Sequence, residues 1–355
     1  MSRPMEGIRI LEVAEHTFVP AASGILADWG ADVIKIEHVE RGDAMRGLAS
    51  TGMTMFEGDV QVLLEHSNRG KRSLALDLGA PEGREILYTL AATADVFLTN
   101  KMPGVRTKLQ IDVDDIRAHN PNIVYVRGSG YGARGPDADA GGYDILGFWY
   151  RASNAISATP LNAPHLIGMP APAYGDTIGA MTIAGGISAA LLHRERTGVA
   201  DVVDVSLLAT GMWAMGAGIA LSMYTGEPWR MAGDTSVAPH NPLAGNYQTA
   251  DDKYIAFSML QGSHYWPEAC ARLGLDEYAH DSRFDSHEHL TANAAAATEL
   301  VAAAVRARTF AEWQERLYGM KGQWSPVQDT LDLQHDPQVQ ENGYLQELHT
   351  KEGHP

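Results

Sequence analysis

Five short apolar, β-branched runs recur through the first 130 residues, with helical segments between them. "GIRILEVA" (7–14), "DVIKIEHV" (32–39), "RSLALDL" (72–78), "DVFLTN" (95–100) and "NIVYVRGSG" (122–130) have the length and composition of strands. "PAASGILADWGA" (20–31) and "PEGREILYTLAATA" (81–94) have helical spacing and open with Pro, and "VRTKLQ" and "VDDIRAHN" form a helical pair. This alternation predicts an α/β fold with a mostly parallel sheet covered on both faces. In such sheets ligands collect at the carboxyl ends of the strands.

Glycines at "GSGYGARG" (128–135) invite comparison with a dinucleotide fingerprint, but "PDADAGGYD" follows where that fingerprint needs a helix. The segment reads instead as a turn where backbone approaches a ligand or a neighbouring chain. From 143 the chain turns helical in "YDILGFWYRASNAI" and "TIGAMTIAGGISAALLHRERTG", and 201–226 reads as a strand running into a buried helix. Residues 245–260 look like a hairpin turning at Asp251–Asp252–Lys253. Acidic, Ala-rich helical sequence then runs to about 320, and "WSPVQDTLDL" (324–333) returns to a strand and a helix. The expected division is a large domain over 1–225, a smaller α+β domain over 226–322 and a return segment over 323–355.

Hydrophobic residues make up 45% and charged residues 20%, the balance of a folded globular chain. The single cysteine, Cys270, allows no internal disulfide and suits a reducing compartment. No signal peptide is evident at "MSRPMEGIRILEVAE", and the apolar stretches near 177–192 and 205–223 are broken by Gly and Ser. A cytoplasmic protein without a membrane partner is expected. A net charge of −17 argues against a nucleic-acid partner. Basic residues nonetheless gather in the first third, at Arg41, Arg46, Arg69, Lys71, Arg72, Lys101, Arg106 and Lys108. A small polyanionic ligand fits that grouping, and solvated surface charge is the plainer alternative. The "HEH" at 287–289 and the scattered histidines form no convincing ligand set, so no metal is expected.

Taken in order, "MEGIRILEVAEHTFVPAASGILADWGADVIKIE", "HVERGDAMR", "NRGKRSLALDL", "DVFLTNKMPG", "NPNIVYVRGSGYGARGPDADAGGYD" and "GDTIGAMTIAGGISAALLHRERTG" resemble the class III CoA-transferase (CaiB–BaiF) family over nearly all of 6–345. The resemblance implies a Rossmann-like large domain, a small domain and an interlocked homodimer. It also implies coenzyme A or acyl-CoA as a substrate, with no tightly bound cofactor. Family chains continue further past the returning segment. This one stops at "LHTKEGHP", which suggests a trimmed member or a truncated product.

By the same resemblance Asp176 is a covalent nucleophile that attacks an acyl-CoA thioester and comes to carry CoA as an aspartyl thioester. On local sequence alone Asp176 is a helix N-cap. The two readings are compatible, because a helix N-terminus favours an ionised carboxylate. For CoA, Phe18, Val19, Pro20 and Ala21 resemble the stretch along the pantetheine, and Arg41 and Arg46 the loop near the adenosine phosphates. Arg72, Leu76 and Asp77 correspond to the strand bordering the adenine, and Asn100, Lys101 and Arg106 to the next binding loop. Ser129 and Tyr131 lie on the glycine turn and join the candidates. Arg106 could equally be a helix-surface charge, and Leu76 and Asp77 a sheet edge and a turn.

The same family contains 2-methylacyl-CoA racemases, whose pattern places a His immediately before the Asp of "GxDI". Here "GGYDILGF" puts Tyr143 in that place, and its high reference pKa makes it a poor base, which argues for transfer. Racemase-like proton chemistry and a non-catalytic acyl-CoA-binding role stay open as alternatives. Tyr143 is expected to be packing. The glycine run that formyl-CoA transferases carry after the central helices is missing from 231–247, where His240 and Asn241 could shape an acyl pocket. Trp149, Met212, Trp213, Met215, Met223 and Trp229 could line such a pocket but are expected in the core.

Overall fold

The computed structural model describes residues 3–51, 60–231, 233 and 240–347. It divides into two compact units, Met1–Met231 and Ala232–Pro355.

The first unit is built on six parallel strands: β1 (Arg9–Val13), β2 (Asp32–Glu37), β3 (Arg72–Ala75), β4 (Val96–Thr99), β5 (Val124–Ser129) and β6 (Val202–Ser206). Their spatial order is β3-β2-β1-β4-β5-β6, which reverses direction between β1 and β4. Alternate residues go to opposite faces, as the strand repeat of two dictates. Ile10, Val33, Val96, Leu98, Val124 and Val126 enter one core, while Leu11, Val13, Ile34, Phe97 and Tyr125 enter the other. Burial on both faces is why these strands read as continuous apolar runs.

Helices α1 (Phe18–Asp28), α2 (Val62–Asn68), α3 (Pro81–Ala91), α4 (Pro103–Leu109), α5 (Val113–Arg117) and α6 (Asn154–Ala158) fill the connections. The last is preceded by a π-helical turn at Ile145–Arg151. The long α7 (Tyr174–Thr197) has the length and apolarity of a membrane span by those criteria alone. Its Ala180, Ile183, Ala184 and Ile187 pack into the same core as α1, so here it serves as a core helix. Helices α8 (Leu207–Ala214) and α9 (Gly216–Thr225) follow β6 and bend by 70° at the break between them. The expected buried helix over this stretch is therefore two helices, and α9 buries only Gly218.

In the second unit, β7 (Ala244–Gln248) and β8 (Tyr254–Ser258) form the expected hairpin, with Asp252 at φ 60° in its turn. Helices α10 (Gly262–Leu273), α11 (His287–Ala292), α12 (Ala294–Arg306) and α13 (Phe310–Leu317) pack on it around Trp266, Phe284, Val301 and Trp313. The segment from 323, expected to lead back to the first domain, contributes its strand β9 (Trp324–Val327) to this sheet, antiparallel to β8. A 3₁₀ turn at Asp332–His335 and α14 (Pro337–Glu341) follow, where one helix is expected.

One charged cluster lies inside the first unit, behind the turn that leaves β1. Lys35 Nζ meets Glu12 Oε1 at 2.7 Å, Asp43 Oδ2 at 2.8 Å and the Ala14 carbonyl at 2.9 Å. Lys71 Nζ meets Glu12 Oε2 at 2.7 Å, the Pro20 carbonyl at 2.7 Å and Asn68 Oδ1 at 3.0 Å. Burial alone would raise the Glu12 pKa, but the two lysines outweigh it and hold the carboxyl at about 2. Burial drives Lys71 down to about 8 against the pull of Glu12. Every cation here has a carboxylate, the condition under which buried charge is tolerated. Replacing Glu12 with Leu strips Lys71 of its carboxylate, and we expect a loss of about 3–5 kcal/mol in urea unfolding. A loss below about 1 kcal/mol would contradict this account.

Candidate active site

A cleft of about 760 Å³ opens at the carboxyl ends of the strands, around the reversal between β1 and β4. Each neighbouring strand hands residues to it. Glu15, His16 and Phe18 come after β1, Asn100, Lys101 and Arg106 after β4, and Arg127 and Ser129 from β5. Asp204 of β6, Tyr143 and Asp176 complete the polar lining used below.

Asp176 is not a helix cap. Ala173 holds that position with φ 55°, α7 begins at Tyr174, and Asp176 is in its first turn. The sequence reading starts the helix too late because alanine in the left-handed region leaves no signature. Beside Asp176 stands Asp144, which is buried and caps the π-helical turn by accepting from the Ile145 N–H at 2.8 Å. Its second oxygen, Oδ2, is buried with no hydrogen-bond partner among the described residues. Gly175 makes the approach possible, since a Cβ there would lie 2.6 Å from Phe148 Cγ and 3.0 Å from Asp144 Cβ. Gly175 thus admits a second carboxylate beside Asp176.

The electrostatic outcome reverses the expectation from the helix end. Burial, and then the charge of Asp144, push the Asp176 pKa up to about 8. Burial also raises Asp144, against backbone N–H groups of Ile145, Asp176 and Gly175. Like charges in one desolvated site cannot both ionise cheaply, so the pair keeps a proton near neutrality. A carboxyl with such a raised pKa that lines a cleft is a candidate reactive group.

The other candidates separate into three groups. Phe18, Arg41, Asn100, Lys101, Arg106 and Ser129 line the cleft. Lys101 pairs with Glu15 at 2.7 Å and Arg106 Nε with Asp112 at 3.1 Å, while Arg41 has no ion pair among the described residues. Val19, Pro20 and Ala21 are buried within α1, and the Val19 side chain presses on Gly128. The close approach at the glycine turn is therefore, at Gly128, to α1. Arg46, Arg72, Leu76, Asp77 and Tyr131 are not in the cleft lining. Arg46 is held by Glu37 at 2.9 and 3.0 Å, and Arg72 by Asp32 at the amino end of β2. Leu76 is core, Asp77 accepts from the Gly79 N–H at 2.8 Å, and Tyr131 lies under Arg151 at 4.7 Å.

Tyr143, expected to be packing, is 63% exposed. Of the Met and Trp residues, Trp149 is core, while Met212, Trp213, Met223 and Trp229 are exposed and Met215 is half-buried. Asn241 braces a turn, bonding the Leu243 N–H at 3.0 Å and the Met259 carbonyl at 2.9 Å, and His240 is exposed. The rest of the expected glycine-run region, 232 and 234–239, lies outside the described residues. Sequence reasoning missed Asp144, His16 and the Arg127–Asp204 pair, which closes at 2.6 Å. The acid of "GGYDILGF" was the available signal for Asp144.

Comparison with known proteins gives a consistent result. A family model described as CoA-transferase family III matches residues 5–355. A probable fatty acyl-CoA transferase of Mycobacterium tuberculosis is 30% identical, over 93% of this chain and 85% of that protein. The (R)-2-hydroxy-4-methylpentanoate CoA-transferase of Clostridioides difficile is 27% identical, over 96% and 84%. A CAIB/BAIF family protein from Brucella suis, of known crystal structure, superposes with a TM-score of 0.82 at 27% identity, covering 97% of this chain and 89% of that one.

Asp144→Asn removes the like charge that helps raise Asp176, so the Asp176 pKa is expected to fall from about 8. Its ionised fraction then rises at lower pH than in the parent protein, measurable by carboxyl ¹³C NMR titration. An unmoved titration would show that burial alone sets the value.

Proposed function

The chain belongs to CoA-transferase family III, and on that premise we propose that it moves coenzyme A from an acyl-CoA donor to a carboxylic acid, with Asp176 as covalent nucleophile. The observation that carries the reading is Asp176 itself, a carboxylate with a raised pKa on the wall of a cleft that also holds Arg41, Lys101 and Arg106.

The steps proposed are those that the family resemblance implies. The ionised Asp176 attacks the thioester carbonyl, forming a mixed anhydride and expelling CoA thiolate. The thiolate then attacks the aspartyl carbonyl, giving an aspartyl-CoA thioester and releasing the donor acid. An acceptor carboxylate attacks that thioester to form a second anhydride, and the thiolate carries the new acyl group away as its CoA ester. Splitting one hard exchange into easier steps is what covalent catalysis achieves. Desolvation of Asp176 makes the attacking carboxylate more reactive once its proton is lost, and the anhydride survives only where water is kept from it. Arg41, Lys101 and Arg106 suit the phosphates of coenzyme A, which arginine binds through paired hydrogen bonds. Related proteins are named for acids as different as 2-hydroxy-4-methylpentanoate, glutarate and malate, so the acceptor proposed for this chain is a carboxylic acid as a class.

A homodimer belongs to the same proposal. Trp213, Met223 and Tyr224 on α8 and α9 are 82–90% exposed, an apolar face that a second copy would cover. Light scattering should give twice the monomer mass, and a monomer at micromolar concentration would count against it.

Asp176→Ala is expected to lower acyl-CoA-to-acid transfer by roughly a thousandfold or more, since the nucleophile and its step are both lost. The check is formation of the new acyl-CoA followed by chromatography, with free CoA affinity unchanged. Full activity in the variant would remove Asp176 from the chemistry.

A further inference from the structure

His16 stands where the chain leaves β1, with φ 68°. Non-glycine residues seldom occupy that left-handed region. Its N–H donates to Asp43 Oδ1 at 3.0 Å, and Asp43 is itself fixed by Lys35 at 2.8 Å and by the Met45 N–H at 2.9 Å. On the preceding residue, the Glu15 N–H donates to Asn100 Oδ1 at 3.1 Å, and Asn100 Nδ2 donates to the Glu15 carbonyl at 2.6 Å. Strain survives where the surroundings over-determine it, and such places cluster at active sites.

The side chain is as defined as the backbone. The imidazole is half-buried, lines the cleft and meets the Tyr143 ring edge-on at 5.6 Å. Neither ring nitrogen has a hydrogen-bond partner among the described residues, although the residues around it are heavily bonded. Two contacts bring it to the same end of α7 as Asp176. Tyr143 precedes Asp144, whose charge acts on Asp176. Two residues beyond His16, the Phe18 ring lies where a Cβ on Gly179, one turn past Asp176, would come within 2.3 Å of it.

We propose that His16 contacts the substrate, an imidazole N–H donating a hydrogen bond to the carbonyl oxygen of the acyl group brought to Asp176. The inference rests on the reading of Asp176 as the residue that receives the acyl group. As the carboxylate adds to that carbonyl its oxygen gains negative charge, and a donor already in place stabilises it without reorganisation. The histidine keeps its proton throughout, and no bond to the imidazole forms or breaks. The clamp that Asn100 places on Glu15 and Asp43 places on His16 then has a purpose, which is to hold that donor still.

The test uses binding, so it does not depend on covalent transfer. Acetyl-CoA, S-ethyl-CoA and free CoA are titrated calorimetrically into the full chain carrying Asp176→Asn, with His16 intact or replaced. S-ethyl-CoA matches acetyl-CoA in size but lacks the carbonyl oxygen. His16→Asn tolerates the left-handed backbone, and His16→Gln serves as a second variant should the first fail to fold. With His16 present, acetyl-CoA should bind at least about fivefold more tightly than S-ethyl-CoA, and the variants should lose that preference. Binding of S-ethyl-CoA and CoA should stay within about twofold. Equal binding of acetyl-CoA and S-ethyl-CoA with His16 present overturns the proposal. So does a preference that survives both variants, or a uniform weakening of all three ligands. Loss of transfer in Asp176→Ala is a separate readout, so the failure of either claim is visible without the other.

Discussion

Helix α7 lies against α1 because glycine and alanine occupy the contact, and the cleft depends on that approach. Phe18 rests where a side chain on Gly179 would stand, and Ala180 and Ala184 continue the seam. At the next turn up, Gly175 leaves room for Phe148 and Asp144. A larger residue at Gly179 would push α7 away from the helix that follows β1, and one at Gly175 would push it away from Asp144 and Phe148. Asp176 would then leave the strand ends where His16, Asn100 and Lys101 converge. Close helix packing, a property of the core, thus positions the carboxyl proposed as nucleophile.

The electrostatics of the first unit follow a division of labour. Behind the β1 turn, Glu12, Asp43, Lys35 and Lys71 neutralise one another, and the two lysines also donate to the Ala14 and Pro20 carbonyls. At the cleft the balance is left incomplete. Among the described residues, Asp144 and Asp176 share a desolvated site without a cation between them, and Asp144 Oδ2 lacks a hydrogen-bond partner. A satisfied network stabilises a fold, whereas a buried polar atom left unpaired costs stability.

Much of this arrangement was legible in the sequence, for physical reasons. Strand and helix periods differ, so the alternation from 7 to 130 announced a parallel sheet and put the site at its carboxyl edge. The acid of "GDTIGAM" stood out as the residue to watch, and the family resemblance carried its role. What escaped depends on direction in space. Arg72 is a strand residue paired with Ile34, and that register delivers its guanidinium to Asp32 instead of the cleft. Arg46 is captured by Glu37, a partner nine residues away that periodicity does not reveal. His16 has no sequence mark at all, because its importance comes from a backbone conformation imposed by Asp43 and Asn100. Trp213 and Met223 defeated the assumption that large apolar residues belong to the core.

Covalent participation of Asp176 is most directly tested by following oxygen. In the proposed sequence the acceptor's attacking oxygen bridges the second anhydride and stays on the aspartate when the thiolate takes the acyl group. Turnover with an acceptor acid labelled with ¹⁸O in its carboxylate should therefore place ¹⁸O in the peptide containing Asp176, detectable by mass spectrometry after digestion. Transfer that proceeds through many turnovers while that peptide stays unlabelled would contradict the account.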